Sequence, residues 1–162
     1  MKLKRWRDRI DRVLEICLVT LMAVNVINVL WQVFTRFVLR DPSSFTEELA
    51  RYLLIWVGLL GAGYASGKKM HLAIAVLLEG LNGRIRHIFE LAIQALIFGF
   101  ALLVMAWGGL RLVMITLALN QMSAALRIPL GYVYLVLPLS GFLIMFYALV
   151  EAADKMKNLR EA

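Results

Sequence analysis

Three long stretches without a charged side chain constrain most strongly what this chain can fold into. The runs Ile16–Phe34, Leu91–Leu110 and Leu130–Val150 contain 19, 20 and 21 residues, and none of these is Asp, Glu, Lys, Arg or His. A helix rises about 1.5 Å per residue and the hydrocarbon core of a bilayer is roughly 30 Å thick, so about 20 apolar residues cross it. We therefore expect each run to form a membrane-spanning helix.

A fourth run, Tyr52–Gly67, has 16 residues and is too short to span by itself. The pattern from Ser44 to Glu47 is typical of a capping box, so we expect this helix to begin at Phe45 and to reach about 34 Å. The chain is then a single membrane domain, residues 1–162, with spans at about 14–35, 45–67, 88–110 and 129–150.

Two segments between these spans are also apolar. The run Leu72–Leu78 lies between Lys68-Lys69 and Glu79 and is too short to cross a bilayer, so we expect an interfacial helix at about residues 70–80. Residues 111–122 either extend the third span or form a separate surface helix. The predicted fold class is an all-α integral membrane protein with four transmembrane helices and a short interfacial helix between spans two and three.

Composition excludes several other classes of protein. The chain is 62% hydrophobic and 18% charged, whereas soluble domains are about 45–50% apolar and about 25% charged. A soluble fold would have too few polar side chains to cover its surface. The formal charge of +7 is concentrated at the N-terminus of a strongly apolar chain, so we expect membrane lipid and not nucleic acid to be a partner. Cys17 is alone, which excludes a disulfide framework.

The distribution of basic residues predicts the orientation. The N-terminal flank, the loop between spans two and three, and the C-terminal tail hold thirteen of the 18 Lys and Arg residues, and the other two loops hold five. By the positive-inside rule both termini lie in the cytoplasm. The first apolar run is too long for the core of a cleaved signal peptide, so we expect it to be retained.

The chain lacks the residues that chemistry inside a membrane requires. Proton relays and ion sites are built from ionisable side chains within the spans, and these runs have none. His71 and His87 are the two histidines and lie in the same loop, and no metalloprotease, P-loop or serine-hydrolase motif occurs. We expect no enzyme, no catalytic, substrate-binding or metal-binding residue, and no cofactor.

Polar and small residues within the spans are candidates for contact with a partner. Asn25, Asn28 and Gln32 follow one stripe of the first helix, and amides that faced lipid would be unsatisfied. The stripe therefore packs against this chain's own helices or a partner subunit, or forms a substrate site. In the second span, Gly58 and Ala62 have the spacing that lets helices approach closely in lipid.

The first loop and the start of the second span carry the densest group of charges. Glu47 is four residues and Glu48 three residues from Arg51, so either carboxylate can pair with it. These residues form a helix cap with an interfacial ion pair, or, together with Arg36, they dock another protein. Trp56, further along the same span, is also a candidate contact residue.

The order of these residues resembles the small membrane subunit of TRAP (tripartite ATP-independent periplasmic) transporters, the DctQ-like family. The resemblance rests on the patterns Phe34-x-Arg36-Phe37, Phe45-Thr46-Glu47-Glu48-x-x-Arg51-Tyr52 and Leu60-Gly61-Ala62, and on the later stretch from Ser123 to Pro129. It implies a sodium-driven uptake system for an organic acid in the bacterial inner membrane. A periplasmic binding protein would capture the substrate, and a large membrane subunit would carry substrate and sodium. This chain would pack beside the large subunit and stabilise its scaffold.

Two other functions stay open at this point. A stand-alone four-helix carrier relies on a carboxylate well inside a span, whereas Glu15 and Glu90 lie at span edges. The chain could also be the membrane anchor of another complex.

Overall fold

The computed structural model describes residues 2–41, 43–68 and 83–161, and within these ranges the chain is helical and contains no strand. Two π-helical segments extend or join the α-helices: Thr35–Leu39 follows the first, and Ala101–Gly108 lies within the third span. The α-helices are α1 (Lys2–Phe34), α2 (Ser44–Gly67), α3 (Gly83–Phe100), α4 (Gly109–Ala118), α5 (Leu130–Tyr134) and α6 (Val136–Glu161).

Four helical stretches are long and apolar enough to cross a membrane, which confirms the prediction of an all-α membrane protein with four transmembrane helices. The third span continues through residue 111 to Ala118, so the segment after Arg111 extends this helix. The predicted interfacial helix at residues 70–80 lies outside the described residues. The four spans are Trp6–Leu39, Ser44–Gly67, Ala92–Ala118 and Leu130–Ala152.

The helices form an open layer in which the fourth span is central. α1 packs against α2, α2 packs against α6, and α6 packs against the π-helical segment of the third span. The most apolar part of the fourth span is 56% buried, compared with 17% for the first span and 11% for the second. Large apolar side chains such as Val19 and Ile27, which are 70% and 67% exposed, face outward. Hydrocarbon, and not water, suits such a surface.

Glycine lets the third and fourth spans approach closely. A Cβ atom at Gly141 would lie 2.9 Å from the backbone nitrogen of Ala106 and 3.1 Å from the carbonyl oxygen of Ala101. A Cβ atom at Gly109 would lie 2.9 Å from Cβ of Leu137. All three distances are shorter than ordinary contacts of about 3.5–4.0 Å. Backbone-to-side-chain packing of this kind is what holds helices together where lipid provides no hydrophobic drive.

The fourth span is interrupted near its start. α5 ends at Tyr134 and α6 begins at Val136, with Pro138 one turn later. Proline has no N–H to donate to the carbonyl group of the residue four positions before it, which here is Tyr134. The interruption lies where the proline predicts a kink.

The second span begins one residue earlier than the sequence predicts, and the expected capping box is wrong. Ser43 is the N-cap, and its side chain makes no capping hydrogen bond to the backbone. The Ser43 hydroxyl instead donates to Oγ1 of Thr46 at 2.9 Å, and that hydroxyl donates to the Ser43 carbonyl at 2.8 Å. Thr46 is fully buried, and its hydroxyl finds an acceptor in the Ser43 carbonyl. This bond differs from the one expected of Glu47, whose carboxylate would accept from the N-cap N–H.

Candidate functional site

The described residues contain little that could perform chemistry. Among them, no group of three or more His, Cys, Asp or Glu side chains could hold a metal ion. The grooves between and along the helices are apolar. One of about 280 Å³ is lined by residues including Leu49, Trp56 and Tyr132. The polar interactions lie at the two ends of the layer. We call them the loop end, which carries Arg40, Asp41 and residues 119–129, and the terminal end, which carries the start of α1 and Lys68.

At the loop end, a single carboxylate binds one turn of the loop between the third and fourth spans, residues 119–129, which we call the third loop. Glu48 Oε2 accepts hydrogen bonds from the backbone N–H groups of Ala125 and Leu126 at 2.8 and 2.9 Å, and from the Ser123 hydroxyl at 3.2 Å. Its Oε1 accepts from the backbone N–H of Ala124 at 3.1 Å and from the Tyr52 hydroxyl at 2.6 Å. A carboxylate offers about four lone-pair sites, so five donors saturate it.

The elements that carry these groups explain the arrangement. Glu48 lies in the second turn of α2, and Tyr52 lies one helical turn further on the same face. The third loop turns back on itself: the Ser123 N–H donates to the Ile128 carbonyl at 2.9 Å. Residues 124–126 form a turn between these two residues, so their three N–H groups project together toward the carboxylate. We call this arrangement the Glu48 clasp.

The neighbouring carboxylate behaves differently. Glu47 Oε1 lies 3.3 Å from a guanidinium nitrogen of Arg51, and the two side chains are 70% and 66% exposed. Of the two pairs that the spacing allows, the described structure forms the one four residues apart. An exposed pair of this kind contributes little to stability. Glu47 and Arg51 therefore remain on the outer surface of α2, whereas Glu48 faces the third loop.

The amide stripe faces α2. Asn28 is buried, and its Nδ2 donates to the Thr46 carbonyl at 2.8 Å. Asn25 is buried too, and its Oδ1 has no hydrogen-bond partner in the part of the chain that the structure describes. Gln32 is partly exposed. Two of the three amides thus lie inside the chain's own helix pair, and a role for the stripe in binding a partner stays a prediction.

The other candidate residues separate into an inner and an outer set. Trp56 is partly buried, and its indole N–H donates to the Val133 carbonyl at 3.1 Å, so it ties α2 to α5. Gly58 and Ala62 are exposed on α2, and a Cβ atom at Gly58 would meet nothing within 4 Å. Arg36 is exposed, with its guanidinium carbon 5.7 Å from the centre of the Phe37 ring.

At the terminal end, a polar network joins three spans, and the sequence did not predict it. Buried Asp11 accepts a hydrogen bond of 2.6 Å from the hydroxyl of buried Tyr147. Lys68 lies 3.4 Å from the Asp11 carboxylate and 3.5 Å from that of Glu15, which also accepts from the Tyr64 hydroxyl at 2.5 Å. The Tyr64 hydroxyl and then the Asp11 carboxylate hold the pKa of Lys68 above its usual value. One signal was available: a tyrosine deep in an apolar span needs a partner for its hydroxyl.

Comparison with known proteins gives consistent matches along the chain. Residues 25–158 match the family model of the DctQ component of tripartite ATP-independent periplasmic transporters. The sialic acid TRAP transporter small permease protein SiaQ of Vibrio cholerae is 31% identical over 142 residues, which cover 84% of this chain and 82% of that protein. A putative TRAP transporter small permease protein of Haemophilus influenzae is 28% identical over 137 residues, which cover 83% of this chain and 82% of that protein. The isethionate TRAP transporter permease protein DctMQ of Oleidesulfovibrio alaskensis is 28% identical over 113 residues, covering 70% of this chain and 18% of that protein.

Proposed function

The chain belongs to the DctQ component of the TRAP transporters, and from this membership we propose that it is the small permease subunit of a sodium-coupled uptake system for an organic acid. The observation that carries the proposal is the match to small permease proteins along more than four-fifths of the chain. The family is a transporter component and not an enzyme. In this proposal a large membrane subunit binds and transports sodium and substrate, and this chain binds neither.

The proposed role is to pack beside the large subunit and to stabilise its scaffold. The match to DctMQ covers only 18% of that permease, so a segment like this chain forms a minor part of a longer membrane protein. That ratio supports association with a larger membrane partner. The open layer is also consistent with such a role, since the small-residue face at Gly58 and Ala62 is uncovered. Small residues at a helix surface favour contact with another helix over contact with lipid.

The proposed location is the bacterial inner membrane, with both termini in the cytoplasm and the loop end in the periplasm. The lysine and arginine distribution supports this orientation. A soluble periplasmic binding protein would then approach the loop end. The exposed side chains of the first loop and the start of α2, from Arg36 to Glu47, would meet it.

Co-purification in mild detergent tests the association with the large subunit. We expect an affinity-tagged chain to retain a large TRAP membrane subunit, and Gly58→Leu to reduce its recovery because the new side chain occupies the proposed contact. Gly99→Leu is the matched control, since a Cβ atom at Gly99 also meets nothing within 4 Å but lies on the third span.

Two results would overturn the proposal. Retention of a respiratory or signalling complex in place of a large TRAP subunit would make the chain an anchor for that assembly. Substrate transport by the purified chain alone in liposomes would make it a stand-alone carrier.

A further inference from the structure

The third loop holds an arginine in a conformation that arginine rarely adopts. Arg127 has φ of 53°, in the left-handed region that favours glycine and asparagine. Its side chain is exposed, and among the described residues no carboxylate pairs with it. A strained backbone position persists only where the surrounding structure enforces it, and such positions concentrate at functional sites. The backbone of this loop is thus held in place around a side chain that has no ion-pair partner among the described residues.

The Glu48 clasp provides the enforcement. It binds the three N–H groups that immediately precede Arg127, and the Arg127 N–H itself donates to the Ser123 carbonyl at 3.2 Å. On the far side, the Leu130 N–H donates to the Gln121 carbonyl at 2.9 Å. The loop is therefore fixed from both sides, and the direction in which Arg127 leaves the backbone is fixed with it.

The clasp also changes the charge that the loop end presents. Glu48 is saturated by donors of the chain itself, and Glu47 is paired with Arg51. In the described part of the first and third loops, exposed Asp41 is the one remaining carboxylate, and Arg36, Arg40 and Arg127 are exposed arginines. The loop end thus offers guanidinium groups in excess, which is complementary to an acidic surface.

We propose that residues 123–127 of the third loop are a preorganised docking element that presents the Arg127 guanidinium to carboxylates on the soluble binding protein, and that Glu48 is its positioning residue. This inference rests on the proposed function, since it assumes that protein as the partner. A rigid presentation favours a protein over lipid headgroups. A flexible arginine reaches a phosphate by snorkelling, whereas fixed geometry lowers the entropy cost of binding a specific protein surface.

Uptake into proteoliposomes that contain this chain and its large subunit tests the proposal, with the concentration of the binding protein as the variable. Arg127→Asn removes the charge and tolerates the left-handed backbone. We expect it to raise the half-saturating concentration of the binding protein about five-fold, as for one exposed ion pair, with the maximal rate unchanged. Arg127→Asp should raise the half-saturating concentration further. High ionic strength should reduce the difference in half-saturating concentration between each variant and the wild type, because salt screens the charges.

A matched pair of carboxamide variants tests the positioning role. Glu48→Gln replaces a pure acceptor with a group that also donates, so the loop is released and the half-saturating concentration should rise as in Arg127→Asn. Glu15→Gln makes the same change at the terminal end, outside the surface proposed to meet the binding protein, and should leave the half-saturating concentration unchanged. Adding Arg127→Asn to the Glu48→Gln variant should raise the half-saturating concentration little further, because the guanidinium is already misplaced.

The outcomes separate this inference from the proposed function. A lower maximal rate with an unchanged half-saturating concentration would overturn the docking role. So would an Arg127→Asn effect that disappears in vesicles of neutral lipid, since the guanidinium would then serve lipid headgroups. If uptake requires this chain and the binding protein but ignores both Arg127 and Glu48, the inference fails and the proposed function stands. If uptake does not require this chain, the proposed function fails.

Discussion

The close approach of the third and fourth spans predicts a large effect for a single methyl group. In Gly141→Ala, the added Cβ atom would lie 2.9 Å from the Ala106 backbone nitrogen and from Met105 Cβ, and 3.1 Å from the Ala101 carbonyl oxygen. Two of these atoms belong to the backbone and cannot rotate away, so the helices must separate by about 0.5 Å to reach ordinary contact. Overpacking of this kind costs about 1–3 kcal/mol. Gly141 has a negative φ, so the backbone itself accepts alanine.

Thermal unfolding of the purified chain in detergent measures the effect. A loss of 1 kcal/mol lowers Tm by about 2–4 °C in a chain of this size, so we expect Gly141→Ala to lower Tm by several degrees. Gly58→Ala is the matched control because its Cβ meets nothing within 4 Å, and alanine's helix propensity should stabilise it by up to about 1 kcal/mol. Equal Tm values for the two variants would refute the packing of the two spans described above.

Two further pairs of variants test the polar contacts in the same assay. Asn28→Leu removes the hydrogen bond to α2 and should destabilise the chain by about 0.6–1.7 kcal/mol. Asn25→Leu removes an oxygen that has no partner among the described residues and should cost less. A larger loss for Asn25→Leu than for Asn28→Leu would contradict the described orientation of the stripe. Tyr147→Phe leaves buried Asp11 without its hydroxyl donor and should cost about 1–3 kcal/mol, more than Tyr64→Phe, whose hydrogen bond is exposed. Equal losses would show that burial does not decide the strength of this network.

The sequence predicts the spans because crossing a bilayer is a local property of the chain. Length, apolar content and the absence of charge are sufficient, and each can be read within about 20 residues. The predicted capping box is wrong because Ser43, Ser44 and Thr46 offer competing hydroxyl groups, and the bonds that form are those between Ser43 and Thr46. The burial of Thr46, which comes from packing against α1, selects among them.

The clasp could not be predicted because its partners are distant in the chain. Glu48 bonds to groups 75 to 78 residues away, whereas spacing rules describe neighbours three or four residues apart. These rules left Glu47 and Glu48 as equal partners for Arg51, and tertiary structure separated them. Which small residues allow close contact between helices also depends on tertiary structure. Spacing identified Gly58 and Ala62, whose face is open in the chain, and did not single out Gly141, whose face is closed.

The distribution of polar contacts has a consequence for how such a layer can resist deformation. Packing through glycine fixes the third span against the fourth, whereas the face of α2 at Gly58 has no such contact within the described residues. The Glu48 clasp fixes α2 against the third loop at one end, and the Asp11–Tyr147 bond with Lys68 fixes α1, α2 and α6 at the other. Sliding or tilting α2 within the layer would therefore strain polar bonds at one or both ends. A chain held in this way is suited to pack beside a larger subunit and stabilise its scaffold, which is the role that we propose for it.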